Sequence, residues 1–465
     1  MAEPAPAGGP RRVDEAASPP AEGATAPRAD AAAAPRADSG AARRADAGAA
    51  PRADRAAARR ANSGAARRAD SGAPAAVEGG TALPVDAGAQ LTVRAYSGAG
   101  IAAECAGFDR LAGRLGLPLT ARLDYLSGYA AAYPEWRPWV VAVTGADGEW
   151  LAGALLARRR RFGLTQVVGL GREVCDHGRL PAADPAAAAA LADGIAHRLA
   201  AIRGGWTLQL EQLPAGDPVA AALAARLSPV EQSAGVGLPR IELSAGRDPK
   251  TYLNKKFRQQ VDVARRRFAA AGVQPQVVYL HRPGEVGPLL DDLLAIRRGR
   301  DRTALYRREL DDERRARWWC TAMLTFAARG QLELAVLDVG TGPPAAYVAA
   351  VLDGPVYRVW DGRLNDAWHQ QWPGQLLYGE VLRRVIADPG YTEVDYLRGE
   401  TPFKMRTATG VVHTANLAAW SSPAVRIAAQ LPGSARARLR DWKAGHPAAD
   451  RAWRSAKARL RRAGR

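Results

Sequence analysis

Between residues 361 and 404 the chain gathers the side-chain types that acid–base and anion-binding chemistry requires. Asp361, His369 and Asp395 are candidate catalytic groups, each able to take a proton from an amine or hydroxyl. Arg398 and Lys404 are natural anion binders, and Asp395 could equally serve to orient them. In the middle of the stretch stands Trp372-Pro373-Gly374-Gln375-Leu376. Pro373 suits a first helical position, because its missing N–H would have no partner there. Gly374 lets another group approach the backbone closely. The amides of Gly374, Gln375 and Leu376 are expected to meet the phosphates of a cofactor at the positive end of the helix. Trp372, at the mouth of that site, joins Arg398 and Lys404 as a candidate substrate contact.

Turn signals and hydrophobic periodicity give the elements that must position these groups. Apolar runs at 345–352 and 355–361 read as strands joined by Asp353-Gly354, followed by a polar loop rich in Trp and His. A helix over 373–387, a strand over 392–397, a helical turn at 402–406 and a strand over 411–418 come next. Before them lie a strand at 276–281, helices at 286–298 and 311–329, and a strand at 331–338. A basic helix precedes this series, capped by Asp248, with Pro249 in its first turn and Gly272 at its end. Leu253, Phe257, Val261, Ala264 and Phe268 form its apolar stripe, while Lys255, Lys256, Arg258, Arg265, Arg266 and Arg267 occupy the other faces. Residues 91–243 repeat the pattern. Strands at 91–97, 139–144, 150–158, 165–170, 207–212 and 237–243 enclose helices near 102–115, 121–133, 185–202 and 218–227. Both halves thus read β-α-α-β-β-β-α-β-α-β, an order shared with the GNAT acyltransferase fold. The fold class expected is α/β, as tandem GNAT-like domains with mixed sheets flanked by helices.

Composition sets the limits. Of 465 residues, the first 90 hold no Phe, Trp, Tyr or Ile, and an eight-residue Ala/Arg/Asp unit recurs six times over 26–73. With almost nothing to bury, residues 1–90 are expected to be disordered. The domains expected are then 91–244 and 245–423, the second including the basic helix, with a basic tail at 424–465. That tail carries 12 Lys plus Arg against 2 Asp, a large share of the net charge of +18. Three widely spaced cysteines indicate neither a disulfide framework nor a zinc site, and no metal is expected. No apolar run reaches the roughly 18 residues of a membrane span, and the N-terminus lacks the apolar core of a signal peptide. The chain reads as cytoplasmic.

The ordered series of the basic helix, Pro373-Gly374, Asp395-Tyr396-Leu397-Arg398-Gly399 and Phe403-Lys404 resembles the acetyltransferase domain of the CelD/BcsL family, associated with cellulose or exopolysaccharide biosynthesis. The resemblance covers roughly 249–406 and is more remote to the FemAB aminoacyltransferases. Trp372 stands where that family often has Ser, and Phe403 where it often has Tyr. The resemblance implies transfer of an acyl group, acetyl above all, from acyl-coenzyme A to an amine or hydroxyl of a small-molecule or glycan acceptor. Direct attack on a thioester requires an activated acceptor and a stabilised oxyanion, but no Cys–His pair. Pro373, Gly374, Gln375 and Leu376 would then hold acyl-coenzyme A.

Other features carry less. Gly169-Leu170-Gly171 through Asp176-His177 is a fragment of a dinucleotide fingerprint and gives no nucleotide site. Tyr133, Trp136 and Cys320 read as packing. The tail, with Trp442 and Trp453 among its Arg and Lys, suits peripheral contact with the inner face of an anionic membrane, or plain solvation. Two alternatives stand beside the acyl-coenzyme A reading. One is a FemAB-like aminoacyltransferase using charged tRNA, the only nucleic acid this chain would be expected to bind. The other is a catalytically silent binding protein.

Overall fold

Two mixed seven-stranded sheets carry the chain, and each takes one strand from the opposite half of the sequence. The computed structural model describes residues 91–97, 105–244, 247–304 and 306–431. The expected repeat tail and the basic segment beyond 431 lie outside them. The first sheet runs β1 (Thr92–Ser97), β2 (Arg137–Thr144), β3 (Trp150–Arg161), β4 (Leu164–Gly169), β5 (Gly205–Pro214), β14 (Thr414–Trp420) and β6 (Val230–Ala234). The second runs β13 (Gly410–Val412), β7 (Leu238–Glu242), β12 (Glu393–Asp395), β11 (Val356–Leu364), β10 (Ala346–Asp353), β9 (Leu332–Asp338) and β8 (Gln276–Leu280). Pairing is antiparallel except at β4–β5 and β11–β12, each joined by a crossover helix. The architecture is α/β, and both halves follow the expected succession except that β6 is added to the first and the single strand expected at 411–418 is broken into β13 and β14, which join different sheets.

β9 and β10 are mostly apolar because successive side chains point to opposite faces and both faces are covered. Ala346, Val348 and Ala350 pack on one face with Phe257, Val261, Leu377 and Val381. Tyr347, Ala349 and Val351 pack on the other with Leu293, Trp318 and Met323. Helices Pro373–Ala387 and Lys255–Ala270 cover the first face, and helices Leu290–Thr303 and Glu313–Ala328 the second. The core on that second face continues into the first half through Tyr125, which stacks on Phe326 at 5.5 Å and meets Trp318 edge-on at 5.5 Å.

Three expectations are corrected. The divide at 244/245 does not separate the sheets: β7 lies between β12 and β13 of the second, and β14 between β5 and β6 of the first. Local periodicity identifies strands but is blind to which distant strand each one joins. The basic helix does not start at Asp248. Asp248 caps only Pro249–Tyr252, and the chain breaks before Asn254, whose side chain accepts from the Phe257 amide at 2.9 Å and opens Lys255–Ala270. The apolar stripe stays as expected, with Leu253, Phe257, Val261, Ala264 and Phe268 all buried. Strand β6 and helix Pro423–Gln430 were not anticipated. β6 is largely exposed and polar, so it offers no alternating pattern to find.

Candidate active site

The parallel pair β11–β12 is in register only over Val356–Arg358 against Glu393–Asp395. Past Arg358, β11 runs on to Leu364, while the other chain leaves the sheet at Tyr396 with Leu397 in the left-handed region (φ 57°). The two strands part, and their separating ends line a cavity of about 1080 Å³. A bulge accompanies the split. Val359 pairs with Ala350 and Asp361 with Ala349, which leaves Trp360 as the extra residue. Residues Val359 to Leu364 therefore present backbone that β12 does not cover. Tyr125, Glu173, Val174 and Asp176 of the first half wall the opposite side.

Three aspartates lie in or beside this cleft, and their surroundings differ. Asp361 lines the cavity but is saturated. It pairs with Arg297, and its Oδ2 accepts from Trp319 Nε1 at 3.1 Å and Tyr347 Oη at 3.0 Å. Burial pushes its pKa up, but Arg297 and Arg363 more than offset this and hold it below the usual carboxylate range. Asp395 does not line the cavity. It accepts from His177 Nε2 at 3.0 Å and the Leu397 amide at 2.7 Å, and it pairs with Arg358. Burial is again opposed, by the His177 hydrogen bond and by Arg358, and the pKa falls to about 2. Asp176 is the opposite case. It is buried and faces the cavity, and its Oδ1 is held by Arg398 Nε at 2.9 Å. Oδ2 has no hydrogen-bond partner among the described residues. Burial raises its pKa, and Arg398 only partly offsets that. A carboxylate so placed has a free oxygen and an enhanced appetite for a proton.

On the opposite wall, Lys404 donates to the Arg398 carbonyl at 2.7 Å and has no carboxylate within ion-pair distance among the described residues. Burial lowers its pKa to about 8. Tyr378 also lines the cavity. Its hydroxyl lies so close to Gly362 that a Cβ there would come within 2.8 Å, and burial raises its pKa. Trp372 opens the crossover helix in the left-handed conformation (φ 58°), under the Arg267 guanidinium at 4.0 Å. No side chain caps this helix. The Trp372 carbonyl accepts from the Gln375 and Leu376 amides at 3.0 and 3.3 Å, so only the Gly374 amide of the expected three remains unclaimed. A Cβ at 374 would meet nothing nearer than Leu364 Cδ2 at 3.9 Å.

The structure thus brings Asp361, His369, Trp372, Gly374, Gln375, Arg398 and Lys404 to one cavity and leaves Asp395, Pro373 and Leu376 outside its lining. Pro373 and Leu376 are buried against the helix's own core. His369 is exposed in the 3₁₀ turn Asp366–Gln371 at the rim. Cys320 and Tyr133 pack, as expected. Asp176 and Tyr378 were missed. The sequence signal for Asp176 was the Gly169–His177 turn, which carries no nucleotide fingerprint but does deliver a carboxylate between the halves. Among the described residues, no group of three or more His, Cys, Asp or Glu side chains is close enough to hold a metal ion.

Residues 255–405 match the family model of the acetyltransferase (GNAT) domain. The chain carries a GNAT acetyltransferase domain. The enzyme class expected from the sequence, a GNAT-type acyltransferase, is the class of this domain. Three solved structures illustrate its surroundings. The C-terminal domain of a putative lysylphosphatidylglycerol synthetase from Agrobacterium fabrum is 13% identical, covering 74% of this chain and 96% of its own, with a TM-score of 0.43. FemX is 9% identical, covering 64% and 92%, with a TM-score of 0.46. A tandem GNAT protein from the clavulanic acid biosynthesis pathway is 15% identical, covering 71% and 99%, with a TM-score of 0.39. Likeness at this level speaks to neither donor nor acceptor. No curated protein matches the chain.

Proposed function

We propose that the protein transfers an acyl group, acetyl in the first instance, from acyl-coenzyme A to an amine of a sugar- or envelope-related acceptor. The observation that carries this reading is Asp176: a buried, cavity-facing carboxylate of raised pKa with one oxygen free. Bound acyl-coenzyme A supplies the activated thioester. The Gly374 amide and the uncapped helix start would meet its phosphates, beside Trp372 and Arg267. Asp176 takes the proton of the attacking amine at Oδ2, while Glu173 beside it holds Arg315 at 3.1 Å. The uncovered β11 backbone and the Lys404 ammonium face the developing oxyanion. The Tyr378 hydroxyl, kept protonated by burial, is placed to donate to the departing thiolate. Asp361 and Asp395 are positioning residues: the first fixes Arg297, and the second locks Arg358 and His177.

A second reading, a charged-tRNA donor, draws on Lys255, Lys256 and Arg266, which are exposed and have no carboxylate partner among the described residues. Calorimetric titration of the full chain with acetyl-coenzyme A, beside Gly374→Trp, separates the two. Micromolar binding that disappears in the folded variant is the expected outcome. No binding to the well-folded wild type, together with salt-sensitive tRNA binding, would turn the assignment to the second reading.

A further inference from the structure

The turn between β3 and β4 is made of two residues, Phe162 and Gly163, both in the left-handed region (φ 52° and 77°). Such a type I′ turn calls for Asn, Asp or Gly at its first position. A bulky aromatic there is a genuine conformational outlier, and this one gains little packing in return, being 60% exposed. Strain retained without local benefit points to a use outside the fold.

The surroundings say which use. The turn is entered through Arg158, Arg159, Arg160 and Arg161, and the Arg161 guanidinium sits 4.8 Å from the Phe162 ring. Leu164 pairs with Gly205, and a Cβ on Gly205 would meet Leu164 Cδ2 at 2.6 Å and Val425 Cγ2 at 2.8 Å. The same end of the first sheet therefore also holds exposed Arg203 and helix Pro423–Gln430. That helix carries Ile427, 64% exposed. Phe162 and Ile427 are the two most exposed large apolar side chains among the described residues, and both belong to this end. Residues 158–166, 201–207 and 421–431 contain six arginines and no Asp or Glu. Among the described residues, Arg426 alone of these is paired with a carboxylate, Glu231 of β6. The chain continues from this end into 34 further residues, 432–465, with 11 Lys plus Arg against 2 Asp.

We infer that this end of the first sheet docks on an anionic phospholipid surface, with Phe162 and Ile427 entering the headgroup boundary and the arginines meeting lipid phosphates. Arginines in excess around exposed apolar tips, of which only Arg426 is paired with a carboxylate among the described residues, are what such a surface selects. Duplex nucleic acid would satisfy the charge but leave Phe162 idle, and a base-stacking site would leave the exposed Ile427 unexplained.

The test is co-sedimentation of the full chain with vesicles of phosphatidylglycerol and phosphatidylcholine in equal parts, against phosphatidylcholine alone. The variants are Phe162→Asn/Ile427→Gln and Arg160→Gln/Arg161→Gln/Arg203→Gln. Binding is expected only with phosphatidylglycerol, about tenfold weaker in the apolar pair and weaker by about fivefold per arginine removed. Phe162→Asn relieves the turn, so thermal stability rises while vesicle affinity falls, an opposition that a purely structural role would not produce. Acetyl-coenzyme A binding stays unchanged in both variants. The inference is overturned if wild type does not bind, or if the apolar pair binds as well as wild type. Tighter binding to duplex RNA than to vesicles, with no effect of the apolar pair on either, would also overturn it.

Discussion

The two halves carry the same crossover, a strand, a helix and a parallel strand, yet only one of them opens. In the first, β4 and β5 stay paired over five residues, Leu164–Val168 with Gly205–Gln209, and Asp184 caps the helix by accepting from the Ala187 amide at 2.7 Å. In the second, pairing stops after three residues, and Trp372 leaves the helix start without a side-chain cap. A closed wedge with a satisfied helix end is scaffold. An open wedge with an unsatisfied end can receive a ligand. The first half does not stay idle, however: the loop after its own wedge sends Asp176 and His177 across to the second. The comparison teaches that duplication of a fold need not duplicate its site, since one copy can become the other's wall.

The strongest way to break this view is Asp176→Asn. Turnover should fall about 10²–10⁴-fold with acetyl-coenzyme A affinity unchanged, because the residue belongs to the half without the donor site. Full activity in this variant would return the base to the second half. Next is Asp395→Asn, which leaves Arg358 beside a neutral group and weakens the tie to His177. Arg358 keeps Asp353 at 2.8 Å, so a loss of about 1–3 kcal/mol is expected in denaturant melts. The same carboxylate predicts an acid limit. Its pKa in the folded state is about 2, against the ordinary 3.8. The associated stability, about 2 kcal/mol, is complete above about pH 4 and lost as pH falls through 2, a slope that Asp395→Asn should remove.

Smaller effects sharpen the picture. Turnover should fall about tenfold as pH rises past about 8 and Lys404 loses its charge, and Lys404→Arg should flatten that profile. Because folding lowers this pKa from 10.5, charged Lys404 costs stability below about pH 8, and the cost fades towards 10.5. Lys404→Met should therefore melt higher at neutral pH while turning over more slowly. Last, Asp184→Ala should cost about 1 kcal/mol and leave donor binding untouched. The matching change at the other helix, Trp372→Asp, should place a negative charge at the donor site and weaken binding.

Much of the fold was legible because its signals are local. Pro373 and Ala387 bound the crossover helix where expected, and the stripe from Leu253 to Phe268 is buried. Asn254 was overlooked in favour of Asp248 because both are sound caps, and only the break at Leu253 decides between them. The site was legible on one side only. Gly374, Arg398 and Lys404 sit on a continuous stretch of chain. Asp176 owes its character to burial between halves and to Arg398, neither of which leaves a mark in its neighbours along the chain. From its strand end Asp395 stood equally as a base or as an orienting group, and its burial between Arg358 and His177 favours the second.

The exchange of β7 and β14 has a consequence for how the protein is born. Among the described strands β6 pairs only with β14, which leaves the ribosome roughly 180 residues later. At ordinary elongation rates that is a wait of roughly 10–40 s. The half translated first is therefore the half finished last, and the cleft between the sheets closes only when the whole chain is available.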